Sequence, residues 1–355
     1  MLKSIAIDIE TTGLYPVPGS KIFCCAVNDL KTIQVHTNID KLKPILEDKS
    51  IMKIIHNANF DAFWLLRLHG IRVTNIWDTR LMEQVIIGDN LSRNTKDENL
   101  KRELSSSLLY TLARYGLAEL KNKEMGAAFA TRDKNKPLTT AEIEYAKNDV
   151  RYLPQLQALQ EQRLLKLGLT RIANLENSLV EITVKMRHYG LAIDENKWLA
   201  IEANHKAEVH RLTKQLPPTV ENWNSPAQVK EYFTCIGIPI LSFEDITDTF
   251  IKDYNNPTLN KFVEMRKHST YASKYGSKFL YADDGRKFVD SDGKIRANFE
   301  QIVNTGRYSC YEPPMHGLPR EGDQRSAIVA GKGNVFVRGD FGGQELGIMS
   351  AASKE

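Results

Sequence analysis

Four acidic residues fall in the order and spacing of a metal site. They are Asp8 and Glu10 in DIETTGL (8–14), Asp61 in HNANFDAFWLL (56–66) and Asp149 in YAKNDVRYL (145–153), with Tyr145 four positions before the last. Carboxylates gathered in one place repel each other unless cations share them. The pattern therefore points to divalent metal ions and to a substrate that metals activate, phosphodiesters above all. Mg²⁺ suits the hard oxygen donors, and Mn²⁺ could replace it. With two ions, one would turn a water into a nucleophile and the other would stabilise the leaving 3′-oxygen. Tyr145 is a weak base, with a free pKa of about 10, and is better suited to orienting the attacking water. Singly, each acid has a plain reading as a cap or a solvated charge. Their order, their spacing and the tyrosine together favour the nuclease.

The elements that must position these groups follow from periodicity. Residues 3–10 alternate as a strand, placing Ile5, Ile7 and Ile9 on one face and Asp8 and Glu10 on the other. Further strands are expected near 21–28, 32–37, 51–56 and 71–77, and helices over 60–69, from Thr79, and over 105–118. Asp61 would then lie near a helix start. Asp78 reads as a helix cap, His56 as a core or hydrogen-bonding histidine, and Trp64 and Trp77 as core. The polar stretch 89–104 reads as a loop or an exposed helix start. LTTAEIEYAKNDV opens a helix with Thr139 or Thr140 as N-cap and Glu142 in its first turn. That helix puts Tyr145 and Asp149 on one face. Long helices fill 165–216, broken at Gly190 and ended by Pro217-Pro218. Mostly helical sequence runs to about 292, followed by extended structure around Phe299, Ile302 and Val303. A strand over 335–340 ending in Asp340 leads into a helix beginning QELGIMSAASKE.

Bulk properties exclude little. The 355 residues carry a formal charge of +4, and neither half is a polycation, so nucleic-acid binding must use local patches. Cys24, Cys25, Cys235 and Cys310 form no CxxC pair, which disfavours zinc and agrees with a reducing, cytoplasmic setting, bacterial or that of a phage-infected host. The start MLKSIAIDIE does not read as a signal peptide, and no apolar run is long enough for a membrane span.

The three acidic segments resemble the exonuclease motifs of the DEDD superfamily of 3′–5′ exonucleases. Tyr145, four before Asp149, is similar to the DEDDy branch; Glu144 stands where the other branch has histidine. The resemblance implies catalytic roles for Asp8, Glu10, Asp61, Tyr145 and Asp149, a wedge role for Leu14, and strand contacts from Thr11, Asn57 and Phe60. Downstream, 176–194 and 224–239 resemble the thumb of family A DNA polymerases, NTGRYSCYEPPMHGLPR (304–320) resembles their TGR segment, and RGDFGGQEL (338–346) resembles palm motif A. This implies an α/β chain: an RNase H-like exonuclease domain (1–165, a mixed sheet flanked by helices), a helical thumb-like region (166–292) and an incomplete α+β palm (293–355). It also implies that Asp340 is a polymerase metal ligand, that Glu345 excludes a ribose 2′-hydroxyl, and that Arg307 contacts the primer–template backbone. Gly347 stands where the family usually has arginine, and His316-Gly317 replace the usual Gln-Asn.

The expected function is proofreading: 3′–5′ exonucleolytic hydrolysis of DNA ends. The rivals are an RNase D-like exoribonuclease, which shares the acidic set, and a non-catalytic DNA-binding or assembly subunit. Neither a fingers helix nor a second palm aspartate follows motif A, and one palm carboxylate cannot hold two ions. A second polypeptide carrying the missing parts is therefore expected, or a truncated product. The isolated chain should give no template-dependent primer extension, and nucleotide incorporation in such an assay would overturn that expectation.

Overall fold

The computed structural model describes residues 3–88, 97–118, 129, 131–303, 305–320 and 322–353. They divide into two compact units, one of residues 1–190, 279–290 and 295–318, the other of residues 191–278, 291–294 and 319–355.

The first unit is built on a five-stranded sheet in the order β3-β2-β1-β4-β5. Its strands are β1 (Ser4–Thr11), β2 (Ile22–Asn28), β3 (Ile33–His36), β4 (Met52–Ile55) and β5 (Ile76–Asp78). β1 pairs antiparallel with β2, and β2 with β3; β1 to β4 and β4 to β5 run parallel. This is the mixed sheet of an RNase H-like fold. Helices cover it: α1 (Lys43–Leu46), α2 (Ala58–His69), α3 (Thr79–Ile87), α4 (Glu98–Leu104), α5 (Leu108–Arg114), α6 (Thr140–Arg151), α7 (Leu153–Lys166) and α8 (Thr170–Tyr189). β2 is buried along its whole length, as expected of a strand covered on both faces. Ile5, Ile7, Trp64, Leu65, Val150 and Leu156 are among the residues of the core.

The expected strand over 71–77 shrinks to Ile76–Asp78. Ile71 and Val73 are buried without joining the ladder, so apolar content alone exaggerates the strand. Of the stretch 89–104, residues 89–96 lie outside the described residues and Glu98–Leu104 is helical. Asn304, which opens the TGR segment, also lies outside them, as do residues 354 and 355. The first unit runs on to Gly190 rather than breaking near 165, because α8 packs against α2, α3 and β5. It also holds the hairpin of β8 (Asn298–Glu300) and β9 (Ser309–Tyr311).

The second unit contains β6 (Leu191–Ile193), α9 (Glu195–Thr213), α10 (Pro226–Cys235), α11 (Asp248–Tyr254) and α12 (Pro257–Lys274). Its core gathers Leu212, Val229, Phe233, Leu259, Phe262 and Met265. β6 pairs antiparallel with β10 (Ile328–Val329); the two-residue β7 (Lys294–Ile295) precedes the hairpin in the chain. The expected strand over 335–340 is corrected: the segment is exposed and pairs with no described strand, Val335 and Val337 being 83% and 93% exposed. An apolar run without a ladder partner has nothing to hold it as a strand. α13 (Gln344–Ser353) follows. No helix among the described residues is long and apolar enough to cross a membrane.

Asp78 does more than cap one helix. Its carboxylate accepts from the Arg80 and Leu81 N–H groups at the start of α3 and from the Asn57 and Ala58 N–H groups at the start of α2. Burial pushes its pKa up, and these donors oppose the shift. Asp78→Ala strands four backbone donors and should cost roughly 2–4 kcal/mol in urea unfolding, with Asp78→Asn losing less.

Candidate active site

The site grows from the end of β1. Asp8 and Glu10 leave one face of the strand, opposite Ala26 and Cys24 of β2. The register shifts between Glu10 and Thr11, a bulge of the kind that re-aims side chains at a sheet edge. Beyond it the Thr11 hydroxyl donates to the Gly13 carbonyl at 2.7 Å, and Leu14 stands 70% exposed.

α6 crosses β1, β2 and β3. Its start is fixed by a capping box between Thr139 and Glu142, and Glu142 is held by Arg132 at 2.8 Å. Its end is fixed by Asn28, whose side-chain amide donates to the carbonyls of Val150 and Arg151 at 3.1 and 3.3 Å. Clamped at both ends, α6 delivers Asp149 to the strand carboxylates. Oxygens of Asp8, Glu10 and Asp149 lie within 4.8 Å of one another.

Asp61 lies beside this trio rather than within it. It is buried in the first turn of α2, and its Oδ1 accepts from the Ile9 N–H at 3.0 Å. Burial, then the charge of Asp8, pushes its carboxyl well above the usual range. Tyr145 hydrogen-bonds Asp149, and burial together with the surrounding carboxylates pushes its phenol up, so it stays a neutral hydroxyl. Its ring packs near Phe129, at 6.0 Å between centroids.

The sequence reading missed Cys24. Strand register places it opposite Glu10, and burial, reinforced by Glu10 and Asp8, pushes its thiol up to about 12. The atoms the fold gathers are the carboxylate oxygens of Asp8, Glu10 and Asp149, donors suited to Mg²⁺ or Mn²⁺. Three carboxylates this close, with a fourth buried alongside, fit a divalent cation on charge and donor type alike.

Asn57, Phe60 and Leu14 line one pocket of about 180 Å³ in the same unit. Asn57 takes a left-handed conformation at φ 71°, and its Oδ1 accepts from Arg80 at 2.8 Å. His56 bonds Thr79 at 2.9 Å, and Trp64 and Trp77 are core. Arg307 is exposed, Asp340 is 80% exposed and pairs with Arg338 at 3.6 Å, and Glu345 is exposed in the first turn of α13.

Residues 1–163 match the 3′–5′ exonuclease family of DNA polymerase A. The whole chain is similar to DNA polymerase I of Aquifex aeolicus, 24% identical with 98% of this chain and 60% of that protein aligned. An exosome complex component 10 homolog of Caenorhabditis elegans is 25% identical over 38% of this chain and 13% of its own length. In fold, the chain is similar to the POL domain of Pol1 from M. smegmatis, with a TM-score of 0.66 and 16% identity over 93% of this chain and 55% of that one. Residues 1–163 are thus a 3′–5′ exonuclease domain, and the chain is a homologue of DNA polymerase I. It spans about three fifths of the Aquifex relative.

Metal should relieve the carboxylate repulsion. Mn²⁺ at about 100 times its Kd should stabilise the fold by about 2.7 kcal/mol, read as a thermal shift, with Asp149→Ala losing most of it. Without metal the sign of the pH dependence is also fixed. Asp61 and Asp78 bind protons more tightly folded than unfolded, so their contribution to stability falls as pH rises from about 4 towards neutrality. Urea midpoints across that range, compared with those of Asp61→Asn, check it.

Proposed function

We propose that this chain removes nucleotides from the 3′ ends of DNA, as the proofreading exonuclease of a family A DNA polymerase in the cytoplasm. The observation that carries the reading is the group of Asp8, Glu10 and Asp149 oxygens within 4.8 Å, with the Tyr145 hydroxyl on Asp149. Asp8, Glu10, Asp61 and Asp149 would hold two Mg²⁺ ions, or Mn²⁺. When bound, these supply an activated water and charge stabilisation at the leaving oxygen. Tyr145, neutral and fixed by Asp149, orients the water. Leu14 stands exposed at the turn after β1, placed to wedge against the terminal base, and Thr11, Asn57 and Phe60 would support the frayed strand.

Residues 166–292 would form the thumb-like part; Arg307 would contact a primer–template backbone, Asp340 would be a polymerase metal ligand and Glu345 would exclude a ribose 2′-hydroxyl. Leu346, Ile348 and Met349 are exposed by 61–71% on α13. The second reading is an RNase D-like exoribonuclease, which would use the same acidic set.

Matched 3′-labelled DNA and RNA oligonucleotides in Mg²⁺ separate the readings. DNA should be degraded faster; exclusive RNA cleavage would favour the exoribonuclease, and an inert protein the non-catalytic subunit. Asp149→Ala should reduce cleavage at least about a thousandfold. Tyr145→Phe should slow it about 10–100-fold while leaving metal binding in place. Asp340→Ala should leave exonuclease activity near normal.

A further inference from the structure

The pocket lined by Leu14, Asn57 and Phe60 contains a positive charge that the proposed catalytic set does not use. Arg187, on α8, is 8% exposed and lies with its guanidinium 3.8 Å from the centre of the Phe63 ring. No carboxylate among the described residues pairs with it, and its Nε has no hydrogen-bond partner. The pocket's other arginine, Arg80, is occupied by Asn57 at 2.8 Å and Glu300 at 3.5 Å. A buried, uncompensated guanidinium is costly, and an anion is its natural complement.

Two further groups in the same pocket need the opposite partner. Asn59 Oδ1 and Gln301 Oε1 are buried without a hydrogen-bond donor. The Gln301 amide is held in place by donating to the Glu176 carbonyl at 2.9 Å, which fixes its oxygen. Phosphate cannot satisfy these acceptors, but the N–H groups of a nucleobase can. Phe60, Phe299 and Tyr311 supply aromatic wall, on which a base can stack. An anion joined to an aromatic ring bearing N–H donors is a nucleotide.

We propose that this pocket is a subsite for one nucleotide of the substrate strand, its phosphate on Arg187 and its base on Asn59 and Gln301. The strand, rather than a free nucleotide, is the occupant because the pocket is lined by Leu14, Asn57 and Phe60, which the proposed function assigns to the frayed strand. The inference rests on the exonuclease reading for the strand's direction, but its test is binding, not cleavage.

The test is fluorescence anisotropy of a labelled oligodeoxyadenylate, whose bases carry an amino group with two N–H donors, on the full chain in EDTA, which halts hydrolysis. Arg187→Gln should bind about tenfold more weakly. Its plot of log K against log salt should be shallower by about 0.7, the loss of one phosphate contact on a single strand. Arg187→Lys should restore the slope. Circular dichroism checks that each variant folds; should Arg187→Gln fail, Asn59→Leu, which removes a base acceptor at similar size, should still weaken binding. Affinity and salt slope equal to the parent's in both Arg187→Gln and Asn59→Leu would overturn the subsite. Arg187-dependent binding of free dAMP, with strand binding unchanged by the substitution, would overturn the strand as occupant. A parent that binds the strand in an Arg187-dependent way yet cleaves no DNA in Mg²⁺ leaves the subsite standing and removes the exonuclease reading alone.

Discussion

One hydrogen bond, from the Ile9 amide to the Asp61 carboxylate, ties α2 to β1 where the acidic side chains gather. Without cations the gathering is unfavourable. Two carboxylates about 5 Å apart repel by a few kcal/mol at the effective dielectric of a protein surface, and Asp8, Glu10 and Asp149 make three such pairs. A fold can hold that arrangement only if other interactions position each element independently of the acids. The Ile9–Asp61 bond does this for the most buried member. It also occupies one of the two oxygens, leaving Oδ2 as the remaining carboxylate oxygen.

The other acids are held in place by groups that never touch the chemistry. Asn28 fixes the end of α6 and therefore Asp149. Thr139 and Glu142 fix its start. Asp78 joins the starts of α2 and α3 through four backbone donors, so the helix bearing Asp61 cannot shift without breaking a buried polar network. Polar groups buried for structural reasons thus support polar groups clustered for chemical ones, and the rigid sheet lies beneath both.

What could be read from the sequence was local. Asp8 and Glu10 on one strand face, Tyr145 and Asp149 on one helix face, the Thr139 capping box and the Asp78 cap all follow from spacings of two to four residues. What could not be read depended on pairing distant in the chain. Cys24 reaches the site only because the β1–β2 register sets it against Glu10. Asp78 takes its second helix from a segment about twenty residues earlier. Arg187 looks like one more charge on a long helix until α8 packs on α2 and buries it over Phe63. The segment 335–340 failed in the opposite direction: its composition suits a strand, but the described residues offer no ladder to join.

The acidic centre and the proposed Arg187 subsite would impose opposite demands on a polyanionic strand. Carboxylates repel phosphate until cations screen them, so an approaching strand meets a barrier at the catalytic end. The Arg187 guanidinium, unpaired by any carboxylate among the described residues, would offer attraction that needs no metal. Binding at Arg187 can therefore precede cation loading and hold the terminus near the carboxylates while the ions enter. Metal and strand then assist each other, because each lowers the electrostatic cost of bringing in the other. In such a site the arginine contributes most when metal is scarce, and its contribution shrinks as the carboxylates fill.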